Sequence, residues 1–343
     1  MQVLFCPHDM EERMFEALYI EKTAEGGQHV ALRSLPDDAL PQGDVTVRVL
    51  WSSLNYKDAL AVTGRGPVVR TWPMVPGVDA AGIVEHTTSP EFQVGQSVVL
   101  NGCGAGELHW GGYAQRLRVP GSWLVPLPAG LDAFQAMALG TAGFTAMLCV
   151  MALEREGVRP VDGPVLVTGA TGGVGSVAVM LLARLGYEVA AVTGRLEEQP
   201  YLQSLGAHEV LPRALFEAPL RPLEKARWAG AVDVAGGHVL AAVCAGMKPR
   251  GVVTACGLAG GMDFPATVAP FILRGVTLVG IDSVMCPRPL RQTAWQRLAE
   301  LVDLERLAGL SRSVPLAEVP QAAEDLLESR LKGRIVVEIP QMA

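Results

Sequence analysis

Residues 165–186, VLVTGATGGVGSVAVMLLARLG, constrain the fold of this chain more than any other stretch. An apolar strand runs into a glycine-rich turn, and a helix follows. A strict G-x-G-x-x-G pattern would require glycine at Ala170, while Gly172 and Gly175 occupy the other two places. Such glycines allow a tight turn whose backbone N–H groups approach a pyrophosphate. With a second strand at Glu188–Thr193, the pattern predicts a dinucleotide-binding unit; a tight structural turn in another α/β protein is the alternative.

The chain divides into two regions of different pattern. Short alternating strands such as Val45–Leu50 and Gln96–Leu100, separated by turns, fill the first hundred-odd residues. From about residue 131, six short apolar strands alternate with helices, which is typical of a doubly wound parallel sheet. The strand Arg334–Ile339 follows that complete unit, so we expect it to return to the first domain. A single helix is expected at Leu290–Leu307.

The predicted fold class is therefore α/β, with two domains. Residues 1–130, completed by residues 300–343, form the first domain. Residues 131–299 form a Rossmann domain that binds the dinucleotide. A chain of 343 residues has the length for two such domains.

Composition excludes several classes of protein. Hydrophobic residues make up 50% of the chain and charged residues 18%, which excludes a disordered or fibrous chain. The formal charge of −7 argues against general nucleic-acid binding, although a local anion site needs only local positive charge. The six cysteines are scattered, which disfavours a disulfide framework. Apolar runs are interrupted by Gly or Arg and no signal peptide is visible, so we expect a soluble, cytoplasmic protein without a membrane span.

The end of the second strand indicates which dinucleotide binds. Sites specific for NAD usually place Asp or Glu there to bond the ribose hydroxyls. Here the chain reads Thr193, Gly194 and Arg195, with no carboxylate before Glu197. A carboxylate would repel a 2′-phosphate, whereas Thr193 and Arg195 can donate to it, and Arg213 offers a second cation. The pattern predicts NADPH; the alternative is that both arginines are solvated surface residues.

Motifs beyond the glycine-rich turn occur in one colinear order: SSLNYKDA (Ser52–Ala59), VPGVDAAG (Val75–Gly82), HWGG (His109–Gly112), GTAGFTA (Gly140–Ala146) and ACGLAGG (Ala255–Gly261). From about residue 28 to 339 the chain resembles the zinc-independent branch of the medium-chain dehydrogenase/reductases. Within that branch it is similar to the acrylyl-CoA reductase (NADPH) group, whose members are also described as quinone oxidoreductases. The resemblance implies a GroES-like β-rich catalytic domain, an inserted Rossmann domain and an active-site cleft between them.

Departures from the zinc-binding relatives bear on the chemistry. Those relatives carry a cysteine in the segment equivalent to Leu54–Tyr56 and a His-Glu pair where this chain has Val78 and Asp79. Valine cannot ligate a metal, and Cys103 stands alone where they have four cysteines, so we expect no metal site. Without a Lewis acid to hold an alkoxide, an activated C=C bond is the better substrate, because hydrogen bonds can stabilise the enolate that hydride addition forms.

The candidate catalytic residues are Asn55 and Tyr56, at a strand end that should face the nicotinamide. Asn55 could bond the carboxamide, and Tyr56 could contact the cofactor or protonate the enolate. A packing role for Tyr56, with water as the acid, is the alternative. Asp79 follows a Pro-Gly turn and is expected to fix that loop. The turn itself and the resemblance add the remaining expected cofactor contacts: Thr141, Thr171, Gly172, Gly173, Val174, Leu258 and Ser283.

Three functions remain open at this point. The leading one is NADPH-dependent reduction of an activated double bond, with acryloyl-CoA as the expected substrate. Quinone reduction needs the same hydride donor but a flat apolar pocket and no phosphate anchor, and a non-catalytic NADPH-binding redox sensor is the third. Arg274, Arg288 and Arg291 could meet the phosphates of a CoA tail, but solvated charges are the expected role.

The sixth strand of the Rossmann unit, Val276–Ile281 (VTLVGI), predicts the assembly. It should be the edge of the sheet, and it is apolar without a guarding lysine or proline. Related reductases join two such strands across a dyad, so we expect a homodimer. A proline in place of Thr277 or Val279, whichever directs its N–H outward, is expected to weaken the dimer while leaving the fold of each subunit largely intact.

Overall fold

The computed structural model describes residues 13–341, and the first region is rich in strands, as predicted. Val45, Val47 and Val49 alternate with less buried residues and face the core of this domain. The elements up to residue 126 are β1 (Met14–Lys22), β2 (Gln28–Pro36), β3 (Val45–Leu54), α1 (Tyr56–Thr63), β4 (Asp79–Thr87), β5 (Ser97–Asn101), β6 (Arg116–Val119) and β7 (Leu124–Pro126).

The second region alternates strands and helices. Its strands are short and almost wholly apolar, because helices cover both faces of the sheet. Its elements are α2 (Ala133–Arg155), β8 (Val165–Val167), α3 (Gly173–Arg184), β9 (Val189–Thr193), α4 (Gln199–Ser204), β10 (Glu209–Pro212), β11 (Trp228–Asp233), α5 (Gly237–Ala245), β12 (Met247–Ala255), α6 (Ala269–Arg274), β13 (Thr277–Gly280) and α7 (Arg288–Leu301).

These strands form one six-stranded parallel sheet in the order β10-β9-β8-β11-β12-β13. The strand order reverses between β8 and β11, as in doubly wound dinucleotide-binding sheets. The Rossmann fold is therefore confirmed.

The chain ends its described part in α8 (Leu304–Leu310), β14 (Ser311–Pro315), α9 (Val319–Leu327) and β15 (Arg334–Glu338). β15 pairs antiparallel with β3 and parallel with β14, and the sheet runs β14-β15-β3-β4-β5-β7 with β6 against β3. The last strand thus returns to the first domain, as predicted.

The single helix expected at Leu290–Leu307 is wrong. Val302 is extended (ψ 134°) and ends α7, and the side chain of Asp303 then accepts a hydrogen bond from Arg306 N at 3.1 Å as the N-cap of α8. An aspartate with this geometry starts a new helix because it satisfies a free N–H group of the first turn. Leu307 and Leu310 are buried in the apolar cluster that contains the core of the parallel-sheet domain.

α2 joins the two cores. In the described part of the chain it is the one helix long and apolar enough to cross a membrane, but 89% of its most apolar window is buried inside the protein. That burial is typical of a core helix. Gly140 interrupts the helix with a φ of 51°, a conformation that favours glycine.

β13 lies at the edge of the parallel sheet, which confirms the predicted position of the sixth strand. Ile281 N donates to Ala255 O at 3.0 Å, so by alternation the N–H groups of residues 277 and 279 also face β12. The expectation that a proline at Thr277 or Val279 leaves the sheet intact is therefore wrong. The outward N–H groups are those of Leu278 and Gly280.

Candidate active site

The glycine-rich turn lies between β8 and α3, at the carboxyl edge of the parallel sheet. A Cβ atom at Gly175 would lie 2.3 Å from Gly169 O and 2.7 Å from the Cα atom of Ala170, so no side chain fits there. The helix therefore starts tightly against the turn. Its first N–H groups have no partner within the helix, and the positive end of the helix dipole lies with them. This arrangement suits a pyrophosphate.

The predicted residues at the end of β9 are brought together with this turn. The hydroxyl oxygens of Thr171 and Thr193 are 3.4 Å apart, and Arg195 N donates to Thr193 Oγ1 at 3.0 Å. The Arg213 guanidinium lies against Gly194, where a Cβ atom would be 3.3 Å from its Cζ. Two cations and two hydroxyl groups thus surround the end of the second strand.

The predicted contacts at the nicotinamide end also follow carboxyl ends of strands. Leu258 lies three residues after β12 and Ser283 three residues after β13, where ligands bind in such sheets. The segment after β13 touches the first domain, because Cys103 N donates to Val284 O at 3.1 Å. This loop therefore lies where the two domains are in contact.

Asp79 is the centre of a buried hydrogen-bond network at the floor of the cleft. Its side chain is fully buried and accepts five hydrogen bonds. The donors are Ser53 Oγ (2.5 Å), Asn55 Nδ2 (2.8 Å), Asn101 Nδ2 (2.7 Å), Thr141 N (2.8 Å) and Thr141 Oγ1 (2.5 Å). These donors come from β3, β5, α1 and α2, so Asp79 fixes the junction of the two domains and not only its own loop.

The kink in α2 makes this network possible. At Gly140 a Cβ atom would lie 2.7 Å from Asp79 Oδ2 and 2.7 Å from Arg334 Nη2. The kink also frees Thr141 N from the helical hydrogen-bond pattern, and that N–H group bonds Asp79 instead. Thr141 therefore anchors the helix to the carboxylate.

Asn55 contributes less to the cleft than the sequence suggested. Its Nδ2 donates to Asp79, and its Oδ1 accepts from Arg334 Nη1 at 3.3 Å. With both ends of the amide engaged, Asn55 positions the start of α1. Tyr56, the next residue, is 51% exposed.

Arg334 was missed by the sequence reasoning. It is 3% exposed, its Nε donates to Ala138 O at 2.8 Å, and among residues 13–341 its Nη2 has no hydrogen-bond partner. Its Nη1 lies 2.9 Å from where a Cβ atom of Gly173 would be, beside the glycine-rich turn. Burial lowers the pKa of this guanidinium, against the opposing effect of Asp79 and Asp58. The available signal was a lone arginine beginning the apolar strand RIVVEI.

Asp58 is a second buried carboxyl group in the network, 1% exposed. It accepts hydrogen bonds from Asn55 N and Val78 N, both at 2.9 Å. Burial, followed by the neighbouring Asp79, raises the pKa of Asp58 from 3.8 to about 7. One buried arginine thus faces two carboxyl groups, and one of the two holds a proton up to about neutral pH.

The three arginines considered for a CoA tail have other partners. Arg274 donates to the carbonyl oxygens of residues 224, 245 and 247. Arg288 pairs with Glu91 at 2.6 Å, and Arg291 is 2% exposed and donates to three carbonyl oxygens. They hold the structure together rather than lie free in solvent.

Comparison with known proteins agrees with this architecture. The family pattern described as alcohol dehydrogenase GroES-like domain matches residues 41–129, and the one described as zinc-binding dehydrogenase matches residues 173–303. The acrylyl-CoA reductase AcuI of Ruegeria pomeroyi is 52% identical over 328 residues, 95% of this chain and 99% of its own.

Solved structures give the same result. The yhdH oxidoreductase of Salmonella enterica, in complex with NADP, is 54% identical with a TM-score of 0.93, over 95% of this chain and 100% of its own. The Bacillus subtilis protein yhfP, with NAD bound, is 44% identical with a TM-score of 0.92 over the same shares, and it carries a provisional quinone oxidoreductase name.

The chain belongs to the medium-chain dehydrogenase/reductase family, since two close relatives align over nearly its whole length. Within that family it falls in the group that contains the acrylyl-CoA reductases AcuI and the protein YhfP.

Proposed function

We propose that this protein reduces the activated C=C bond of an acyl-CoA thioester with NADPH, and that acryloyl-CoA is its substrate. The observation that carries the proposal is the 52% identity to an acrylyl-CoA reductase over 95% of the chain. The site supports it, because Arg195 and Arg213 lie at the end of β9 and residues 193–195 include no carboxylate.

The residues present fit the cofactor. The turn after β8 leaves no room for a side chain at Gly175, and Nη1 of the buried Arg334 lies beside Gly173 of the same turn. The N–H groups of Thr171, Gly173 and Val174 would hold the pyrophosphate beside Gly172, whose own N–H closes the turn on Gly169 O, and Arg334 would neutralise part of the charge of the pyrophosphate. Thr193, Gly194, Arg195 and Arg213 would hold the 2′-phosphate, and Thr141, Leu258 and Ser283 would border the nicotinamide.

NADPH, when bound, supplies a hydride to the β-carbon of the substrate. The electron pair of the C=C bond moves onto the thioester as an enolate, and a proton at the α-carbon then completes propanoyl-CoA. Tyr56 is the candidate proton donor, since the residue is 51% exposed and directly follows Asn55 at the start of α1; water is the alternative. Asn55 and Asp79 hold the start of α1 and so position Tyr56.

The proposal includes catalysis without a metal. Among residues 13–341 no group of three or more His, Cys, Asp and Glu side chains lies close enough to hold a metal ion. Asp79 already accepts five hydrogen bonds, and its neighbour Val78 offers only an apolar side chain, so these two residues do not form a metal site.

Comparison of substrates tests the function. NADPH oxidation followed by absorbance should proceed with acryloyl-CoA and be much slower with benzoquinones. Fast turnover with quinones alone would favour the activity in the name of the Bacillus subtilis relative. NADPH binding without turnover of any of these would favour a redox sensor.

We also propose a cytoplasmic homodimer joined through β13. The apolar side chains of Val268, Ile272 and Leu273 are 67 to 73% exposed beside this edge strand, which supports a covered surface. Ile272→Glu should convert the dimer to monomer in sedimentation experiments, because the charge would be buried on association. A wild-type protein that sediments as a monomer at micromolar concentration would contradict the proposal.

A further inference from the structure

The segment of residues 328–333, between α9 and β15, belongs to the first domain but lies against the cofactor-binding end of the second. Arg195 Nη1 donates to Ser329 O at 3.3 Å and to Leu331 O at 3.2 Å. Gly333 N approaches Thr171 O, in the glycine-rich turn, at 3.5 Å. The arginine expected to select the cofactor thus also holds a segment of the other domain.

Lys332 in this segment brings a further cation to the same place. Its Nζ lies 2.9 Å from Glu198 Oε2 and 5.5 Å from the ring centroid of Tyr201. Its side chain is 55% exposed, whereas that of Glu198 is 18% exposed. Leu331, the residue before it, accepts a hydrogen bond from Arg195, so the backbone that carries Lys332 adjoins the guanidinium of Arg195.

Other cations nearby form different ion pairs. Arg330 pairs with Asp325 at 2.6 Å, and Arg213 pairs with Glu217 at 2.8 Å. Lys332 instead neutralises Glu198, a carboxylate three residues after Arg195 that would repel a phosphate bound at the end of β9. A lysine on a flexible stem can contact both anions at once.

We propose that the 328–333 segment forms part of the 2′-phosphate site and that Lys332 determines cofactor specificity, its ammonium group shared between Glu198 and the 2′-phosphate. Arg195 then has two roles: Nη1 holds the segment, while its other N–H groups face the phosphate. Residues of both domains then contact the same phosphate group. This inference rests on the proposed use of NADPH.

Two variants with opposite expected effects test the role of Lys332. Dissociation constants for NADPH and NADH would be measured by fluorescence titration on the full chain. Lys332→Ala should raise the NADPH constant about fivefold, as expected for a partly exposed charge contact, and leave that for NADH unchanged. Glu198→Gln should lower the NADPH constant about two- to threefold, because it removes a repelling carboxylate.

A purely structural salt bridge predicts a different result, because both substitutions break the same pair. Lys332→Ala and Glu198→Gln would then change the affinity for both cofactors in one direction, and the inference would be overturned. Lys225→Ala, an exposed lysine between β10 and β11, is the matched control for the loss of one positive charge. Lys332→Arg should retain the preference for NADPH.

The wild-type measurement separates this inference from the function proposed above. Equal affinity of the unmutated protein for NADPH and NADH would refute the use of NADPH itself. A wild-type preference for NADPH that is unchanged in Lys332→Ala would refute only the role of Lys332.

Discussion

At the end of β9, Arg195 and Arg213 hold their charges near the surface, against carbonyl and carboxylate groups that water also reaches. At the start of α1, Asp79 and Arg334 lie in the interior, 0% and 3% exposed. Water screens the first region, so each contact there is worth little and can change with small effects on the fold. In the second region burial keeps water from replacing a lost hydrogen-bond partner. Separate groups of residues therefore govern the choice of cofactor and the stability of the fold.

Replacing the central carboxylate should give the largest effect. Asp79→Asn presents an amide N–H to the donors of Ser53, Asn55 or Thr141 and leaves Arg334 without its nearby charge. Removing one partner of a buried charge pair typically costs about 3–5 kcal/mol of unfolding free energy. Urea denaturation measures the loss. Asp325→Asn, at a surface ion pair, is the control and should leave the midpoint almost unchanged; equal effects of the two variants would invalidate the comparison.

The pH dependence of the unfolding free energy should reveal the protonation of Asp58, the second buried carboxyl group. The pKa of Asp58 in the folded protein is about 7, against 3.8 for an ordinary aspartate. Below about pH 4 both states hold the proton, and between about pH 4 and 7 only the folded state does. Stability attributable to Asp58 therefore falls as the pH rises through this range, by roughly 2–4 kcal/mol.

Asp58→Asn isolates that contribution. The difference between the wild-type and variant unfolding free energies should change across pH 4 to 7 and be constant above pH 8. A difference that is independent of pH would show that Asp58 is ionised throughout in the folded protein.

Arg195→Ala should affect selectivity more than stability. A charge-assisted hydrogen bond is worth about 1.5–3 kcal/mol, so the preference for NADPH over NADH should narrow roughly tenfold or more. The melting temperature should change little, since the side chain is partly exposed. Arg155→Ala, 60% exposed at the end of α2, is the control. An equal loss of affinity for NADPH and NADH would mean that Arg195 supports the structure of the site and does not contact the 2′-phosphate.

Chelation should have the smallest effect of all. If no metal takes part, exhaustive dialysis against EDTA should leave kcat and KM unchanged, because the carboxylate of Asp79 is occupied by its five hydrogen-bond donors and not by a metal ion. A stoichiometric zinc ion whose removal abolishes turnover would contradict metal-free catalysis.

The same contrast explains what the sequence could predict. The turn at Gly169–Gly175 and the end of β9 depend on neighbours within about 30 residues, so local pattern reveals them. The partner of Asn55 is Arg334, 279 residues away, and the partner of Asn101 is Trp295, 194 residues away. No local periodicity encodes such pairs.

Two local features were also missed, for different reasons. The kink at Gly140 looks like an ordinary glycine in an apolar helix until Asp79 and Arg334 are placed beside it. β1 and β2 pair with each other over nine residues, yet β2 buries none of its side chains fully, so its sequence lacks a clear alternation of buried and exposed residues.

The return of β15 to β3 has a consequence for how the chain is made. Arg334 follows Leu54 by 280 positions, so at elongation rates of about 5–20 residues per second roughly 15–55 s pass between the synthesis of the two residues. During that time the second half of β3 has an unpaired edge, and Asp79 and Asp58 lack their cation. The nascent first domain must wait for the whole Rossmann domain, and this interval is when it is most exposed to aggregation and most dependent on chaperones.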